Sequence, residues 1–289
     1  MIIILGPTAS GKTTVALQLA KYFQTSIISA DSRQCFKELN IGVAKPCSEE
    51  LERVPHYFIN SHSISDEVNA ALFERFALQW VEKLFLLKNT VIMVGGTGLY
   101  IRAFCEGLDE IPAIDSLLRL EIQDKYSQRG LVWLQEEIKK NDPEYYASAE
   151  IKNPQRLMRA LEVKLFTDRS ILTFRTKTRK TRSFNIVKVG LRLEKEELHQ
   201  NIRNRTERMM EMGLLEEVSS LLPFRHLNPL QTVGYSELFD YLDGKTSLQE
   251  SVERINQNTR QYAKRQMTWF GKDQSIRWIP PGEWDQFKK

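Results

Sequence analysis

The sequence predicts an α/β protein: a parallel sheet core flanked by helices, with a smaller helical insertion domain. Three observations carry that expectation. An apolar strand pattern at the N-terminus runs straight into a glycine-rich loop and then a helix. Strand and helix signals alternate over the first hundred residues. After Gly107 the strand signal stops, to resume only near residue 185.

The first strand is Met1-Ile2-Ile3-Ile4-Leu5, and the segment after it, Gly6-Pro7-Thr8-Ala9-Ser10-Gly11-Lys12-Thr13, fits G-x-x-x-x-G-K-[ST] at every fixed position. Residues 14–23 then carry apolar side chains at helical spacing. A strand, loop and helix in this order make the core P-loop-containing. Loop N–H groups surround a polyphosphate at the positive end of the helix. Lys12 adds a point charge, and the Thr13 hydroxyl can hold a magnesium ion (Mg2+). Residues 26–30 read as a second strand ending at Asp31, residues 70–88 as a helix, and residues 90–94 as a buried strand ending in Gly95-Gly96. In such a βαβ order, ligand sites lie at the carboxyl ends of the strands, so segments 6–13, 31–34 and 95–98 are expected to face one cleft.

Residues 115–182 are helical and finish in Arg175-Thr176-Lys177-Thr178-Arg179-Lys180-Thr181-Arg182. They are expected to form the insertion domain, with residues 1–114 and 183–289 as the catalytic core. Within the core, residues 185–191 resume strand character. A long helix is expected from Lys195 to Leu222, another over 248–270, and a closing strand over 275–279.

With 289 residues, 42% hydrophobic, the chain can bury a full core. The odd set Cys35, Cys47 and Cys105 has no C-x-x-C spacing and no matching histidine pattern, which favours a reducing compartment over a disulfide framework or zinc site. No apolar run approaches membrane-spanning length and no leader precedes the loop, so a cytoplasmic protein without membrane attachment is expected. Net charge is +4, yet residues 151–208 hold 16 Lys/Arg against 6 Asp/Glu, a local +10. Alone, a basic run is also what a solvated loop looks like; beside a phosphate-binding core it raises nucleic acid as a partner.

Three features narrow the chemistry. Gly95-Gly96-Thr97-Gly98 stands where an ATPase often places an acid, and no N-K-x-D motif is present. An acid does end the second strand, in Asp31-Ser32-Arg33-Gln34, where a carboxylate can act as general base or simply cap the following turn. Gly96-Thr97-Gly98 brings a hydroxyl and close backbone approach, or is a plain strand-to-helix turn. These residues leave open an ATP-dependent small-molecule kinase and a non-catalytic RNA-binding protein.

The ordered set GPTASGKTT (6–14), ADSRQ (30–34), IGVAKP (41–46), PHYFIN (55–60), VGGTGLY (94–100), NPQRLMRALEV (153–163), QTVGYSE (231–237) and RQYAKRQMTWF (260–270) resembles the tRNA dimethylallyltransferase (IPP transferase) family from residue 1 to about 272. The resemblance implies an enzyme that moves a dimethylallyl group from dimethylallyl diphosphate to N6 of the adenosine 3′-adjacent to the anticodon of tRNA. It implies that Gly6, Pro7, Thr8, Ala9, Ser10, Gly11, Lys12 and Thr13 grip the diphosphate, with Mg2+ at Thr13. Asp31 is then the base, Thr97 bonds the bridging region and Arg205 faces the diphosphate. Asp31, Ser32, Arg33 and Gln34 hold the target adenine. Arg119 and the stretch Gln155, Arg156, Leu157, Met158 and Arg159 contact the anticodon stem-loop, and the enzyme is expected to be a monomer. Core packing is expected for Tyr235 and Trp269. The chain departs from the family pattern at Asn201, where an arginine is common and whose role Arg203 takes over if it is kept. It also departs at Asn60, where an acid is common, and at Val43, where threonine is common.

Overall fold

The structure, a computed structural model, describes residues 1–176 and 178–288; Lys177 of the basic run lies outside them. The chain divides into two compact units, Met1–Glu106 with Thr181–Lys289, and Gly107–Lys180. The insertion therefore begins at Gly107 rather than residue 115 and ends at Lys180 rather than 182. The break coincides with a chain-level signal, since Gly107 takes φ 79° and follows the helix ending at Glu106.

The first unit opens with β1 (Ile2–Leu5), α1 (Lys12–Tyr22), β2 (Ile27–Ser29), α2 (Ser48–Arg53), β3 (His56–Tyr57), α3 (Ala70–Phe85), β4 (Ile92–Gly95) and α4 (Gly98–Glu106). Its strands pair in parallel in the order β3-β2-β4-β1, continued by β5 (Val187–Leu191) and β6 (Ile276–Ile279). Strand β1 sits inside the sheet, between β4 and β5. Ile3, Ile4 and Leu5 are fully buried there, which is why β1 reads as a continuous apolar run and not as alternation. Val15, Ala16, Leu19 and Ala20 of α1 cover Ile4, Ile92 and Val189, so α1 and the loop before it are pinned to the sheet. Each large aliphatic side chain buried in this way contributes about 1.5–3 kcal/mol.

The second unit contains α5 (Ser116–Asn141), α6 (Pro143–Ser148), α7 (Pro154–Thr167) and a 3-10 turn over Ile171–Phe174. Its own core gathers Ile122, Leu134, Ile138, Leu157 and Leu161. Helix α7 starts as its sequence suggests, with Pro154 in the first turn and the Asn153 side chain accepting the Arg156 N–H at 3.2 Å.

After β5 the chain forms α8 (Lys195–Glu211), α9 (Leu214–Ser220), α10 (Tyr235–Leu242) and α11 (Leu248–Phe270) before β6. The helix expected from Lys195 to Leu222 is thus two helices. Gly213, at φ 95°, takes the left-handed conformation that interrupts the ladder. Among the described residues no helix is long and apolar enough to cross a membrane.

Candidate active site

Strands β2, β4 and β1 are neighbours in the sheet, so the segments leaving their carboxyl ends lie side by side. The phosphate loop follows β1. Gly11, at φ 81°, caps α1 in the left-handed region, and Ala9 holds the same region at φ 61° against its Cβ. Such a conformation persists where the surroundings enforce it, and loop contacts do so here. Ser10 Oγ donates to the Pro7 carbonyl at 2.8 Å. Lys12 Nζ donates to the same carbonyl at 2.5 Å.

The turn after β2 carries Asp31. Its Oδ1 accepts the N–H groups of Arg33 at 2.8 Å and Gln34 at 3.3 Å, while Oδ2 has no hydrogen bond among the described residues. Capping and base chemistry are therefore compatible, one oxygen serving each. The turn after β4 meets this one, since Thr97 Oγ1 accepts the Ser32 N–H at 3.0 Å and donates to Ser32 Oγ at 3.3 Å. The Gln34 amide is turned inward. Its Nε2 donates to the carbonyls of Val43 at 3.2 Å and Ala44 at 3.0 Å, and its Oε1 accepts from Ser29 Oγ at 3.2 Å. Gln34 thus holds the 43–44 backbone, while Arg33 extends to Asn228 Oδ1 at 3.4 Å.

Helix α8 supplies the remaining wall. Arg205 Nη1 donates to Thr8 Oγ1 at 3.2 Å, and Asn201 Nδ2, one turn earlier on the same face, donates to the Ala9 carbonyl at 3.4 Å. Arg203 points elsewhere and bonds Gln200, so it does not take over the place at 201. A cavity of about 840 Å³ opens beside the loop, lined among others by Lys12, Thr13, Lys45, Asn201, Arg205 and Arg208. Burial, then the Arg205 charge, pushes Lys12 down to about 7, partly offset by the Asp31 carboxylate. Burial also lowers Lys45, to about 8. Both shifts have one main cause, the removal of an ammonium group from water.

Thr13 is half-buried on this cavity wall. Among the described residues no group of three or more His, Cys, Asp or Glu side chains can hold a metal by itself. A hydroxyl beside a phosphate site suits magnesium, which takes few protein ligands and completes its shell with phosphate oxygens and water.

Three contributors were not singled out from the sequence. Gln266 of α11 accepts the Thr8 N–H at 2.8 Å and donates to the Gly96 carbonyl at 2.9 Å. Glu217 of α9 accepts the N–H groups of Asn40, Ile41 and Gly42 at 3.2, 2.8 and 3.1 Å, fixing a loop whose Asn40 and Ile41 line the cavity. Lys45 donates to the Phe36 carbonyl and to the side-chain oxygens of Asn40 and Asn60. Gln266 and Lys45 stand inside RQYAKRQMTWF and IGVAKP, but their partners are visible only once the chain is folded. Tyr235 is fully buried, as expected, and its hydroxyl donates to Glu217 at 2.6 Å. Trp269 packs on Gly98 yet stays 36% exposed, so it belongs to the surface more than the core.

In the insertion unit, Gln155 and Arg156 are exposed, and Arg156 pairs with Glu150 at 2.8 Å. Arg119 and Arg159 converge on buried Glu162 at 3.6 and 3.1 Å. Leu157 and Met158 correct an expectation: at 0% and 5% exposure their side chains belong to the unit's core, because the face of α7 they occupy packs inward, and do not form an exposed surface for RNA. Arg182 is corrected too. Its guanidinium pairs with Glu74 at 2.7 Å and donates to the carbonyls of Ala103 and Phe104 at 2.9 and 2.7 Å, so it anchors α4 instead of meeting phosphate.

Together the fold and site define a P-loop α/β protein with a cationic cavity at the carboxyl ends of parallel strands and a carboxylate beside it. Residues 34–273 match the family model described as IPP transferase, and the chain belongs to that family. It is 45% identical to tRNA dimethylallyltransferase 1 of Bacteroides thetaiotaomicron, over 97% of this chain and 91% of that protein. It is 46% identical to the tRNA dimethylallyltransferase of Cytophaga hutchinsonii, over 98% and 93%. Among solved structures, a full-length tRNA isopentenylpyrophosphate transferase from Bacillus halodurans superposes with TM-score 0.71 at 31% identity, covering 99% of this chain and 93% of that one. A eukaryotic dimethylallyltransferase described as acting on tRNA gives TM-score 0.81 at 25% identity, covering 99% and 75%.

Proposed function

We propose that this chain transfers the dimethylallyl group of dimethylallyl diphosphate to N6 of the adenosine 3′-adjacent to the anticodon in tRNA, acting as a monomer in the cytoplasm. The observation that carries the reading is the convergence at the phosphate loop. Among the described residues Lys12 and Arg205 reach the loop with no hydrogen-bonded carboxylate and feel Asp31 only through space, while Asp31 keeps one oxygen unbonded on the neighbouring turn, beside Thr97. A leaving diphosphate needs cationic groups not already hydrogen-bonded to a carboxylate, and an attacking amine needs an acceptor for its proton.

In the transfer, N6 of adenine bonds to C1 of the dimethylallyl group as the C1–O bond breaks, and the bond electrons leave with the diphosphate. Asp31 Oδ2 takes the N6 proton. Loop N–H groups, Lys12 and Arg205 stabilise the charge that builds on the departing oxygen. Thr97 holds the Ser32 backbone and so orients the Asp31 turn. When bound at the Thr13 hydroxyl, magnesium supplies further charge neutralisation to the diphosphate. Adenine amine is barely basic, so its placement matters as much as proton removal. A stacked anticodon loop hides that amine, which requires the base to be turned out.

Incubation with unmodified tRNA, magnesium and labelled dimethylallyl diphosphate tests the reading. Label on a tRNA bearing adenosine 3′ of its anticodon is the expected result. Absence of label, with tight ATP binding in its place, would establish the kinase alternative.

A further inference from the structure

The segment RQYAKRQMTWF lies on α11 and is not used by the transfer as described. Two of its side chains, Gln266 and Trp269, three residues apart on one helix face, meet the turn that carries Thr97. Gln266 is 6% exposed and uses both ends of its amide, accepting the Thr8 N–H and donating to the Gly96 carbonyl. Its orientation is unambiguous, because a backbone N–H only donates and a carbonyl only accepts. The approach is close. A Cβ on Gly96 would lie 2.2 Å from Gln266 Nε2, and one on Gly98 2.2 Å from the Trp269 ring. The two glycines flanking Thr97 are therefore places where α11 presses on the turn, and an acidic side chain at Gly96 has no room.

We infer that Gln266 is a positioning residue for the transfer reaction: its amide sets the spacing between the phosphate loop and the Thr97 turn. The inference rests on the proposed function. Thr8 is held twice, through its N–H by Gln266 and through its hydroxyl by Arg205. From Gly96 the connection runs to Thr97, whose hydroxyl fixes Ser32 beside Asp31. One buried amide thus joins the side of the site that holds the leaving group to the side that takes the proton. Glutamine alone fits this place. Glutamate lacks the donor for Gly96, and methionine lacks both functions at similar length.

Gln266→Met and Gln266→Glu test the role, with dimethylallyl transfer and inorganic pyrophosphate binding as separate readouts. Displacing reacting groups by about 1 Å costs about 100-fold in rate, so Gln266→Met is expected to lose that much kcat with tRNA affinity near wild type, while thermal unfolding registers a loss from the unpartnered Thr8 N–H and Gly96 carbonyl. Pyrophosphate binding is expected to weaken about tenfold, the worth of one lost backbone contact to the loop. Gln266→Glu keeps the acceptor toward Thr8 but, when ionised, sets an oxygen against the Gly96 carbonyl and a negative charge beside the loop, so its kcat and pyrophosphate affinity are expected to fall at least as far as those of Gln266→Met. Folded variants with wild-type kcat and pyrophosphate affinity would overturn the inference. Gly96→Ala supplies a cycle: combined with Gln266→Ser, which removes the atoms it strikes, it should do no more harm than either change alone. Independent, multiplying effects would also overturn it. If the wild-type protein transfers no dimethylallyl group, the functional reading fails, while the pyrophosphate cycle still reads the bridge.

Discussion

The two units handle positive charge in opposite ways. At the cavity of the core unit, Lys12 and Arg205 hydrogen-bond, among the described residues, only neutral oxygens, those of Pro7 and Thr8. In the insertion unit, Arg119 and Arg159 share Glu162, Arg156 has Glu150, Lys164 has Asp168 and Lys180 has Glu110. The core is not poor in carboxylates, since it pairs Arg182 with Glu74 where no ligand is expected. The small-molecule site is thus marked by cations without a hydrogen-bonded carboxylate, which feel Asp31 only through space and leave the close contact to an arriving anion. In the insertion unit these five cations already meet a carboxylate, so RNA phosphates must compete with it to use them. Composition records both as positive charge, and only the pairing separates them.

Asp31→Ala strikes the comparison hardest. Removing a general base costs about 10²–10⁴-fold in turnover. The insertion unit's arginines are untouched, so tRNA affinity should hold. Normal turnover with a large affinity loss would show that Asp31 grips RNA instead of taking a proton, and the core would no longer be the chemical half. Next in size is Arg182→Gln. Both members of the Arg182–Glu74 pair are largely shielded, at 11% and 12% side-chain exposure, and breaking one side of such a pair costs up to about 3 kcal/mol, below the figure for a fully buried one. Denaturant unfolding should register that loss, with the salt dependence of RNA binding unchanged. Unaltered stability with a flatter salt dependence would return Arg182 to the RNA-binding side.

How much of this was legible follows from what each signal depends on. The strand Ile2–Leu5, the phosphate loop and α11 are local patterns of apolarity, glycine and capping, and they lie where the sequence places them. Gathering Asp31, Thr97 and Lys12 followed from one topological rule about strand ends. The two-residue β3 was not legible, because a strand that short has no period to detect. Leu157 and Met158 were misplaced because a family motif on an amphipathic helix mixes a buried face with an exposed one. Gln266 was missed because its partners, Thr8 and Gly96, lie 258 and 170 residues away.

Lys12 allows a finer test through protons. Its value of about 7, against 10.5 for an ordinary lysine, leaves it mostly neutral in the ligand-free protein at pH 8. A bound anion favours the charged form and raises that value, so binding must take up a proton. The contribution of Lys12 to affinity is complete below about 7 and declines as pH rises through that value toward the higher one of the complex. Calorimetry of dimethylallyl diphosphate binding at pH 8, in buffers of different ionisation enthalpy, should show net uptake that Lys12→Met reduces by up to about one proton. Affinity in the variant should fall about 10–100-fold, as expected for a lost charge-assisted contact. Equal uptake in both proteins would mean that Lys12 is already charged, and the core's proton uptake would not reside there.

The smallest effect separates the insertion unit's own cations from one another. Arg119 and Arg159 share a glutamate that is 6% exposed in its side chain, so pulling either one away from it toward RNA leaves that buried carboxylate less well compensated. Lys180 differs: it meets Glu110 at 3.7 Å with side chains 48% and 92% exposed, and a surface pair of that kind is worth about 0–1 kcal/mol. A phosphate can displace Glu110 at little cost. Lys180→Gln should then lower the slope of log affinity against log salt by about 0.7–0.9, the release of one counterion, with affinity at low salt changed only modestly. Arg119→Gln should leave the slope closer to wild type while reducing stability. If Lys180→Gln leaves the slope intact and Arg119→Gln lowers it, buried pairing does not keep an arginine from RNA. Glu162 would then be a device that aims Arg119 and Arg159 at the phosphates, and the contrast between the units would lie in how cations are aimed.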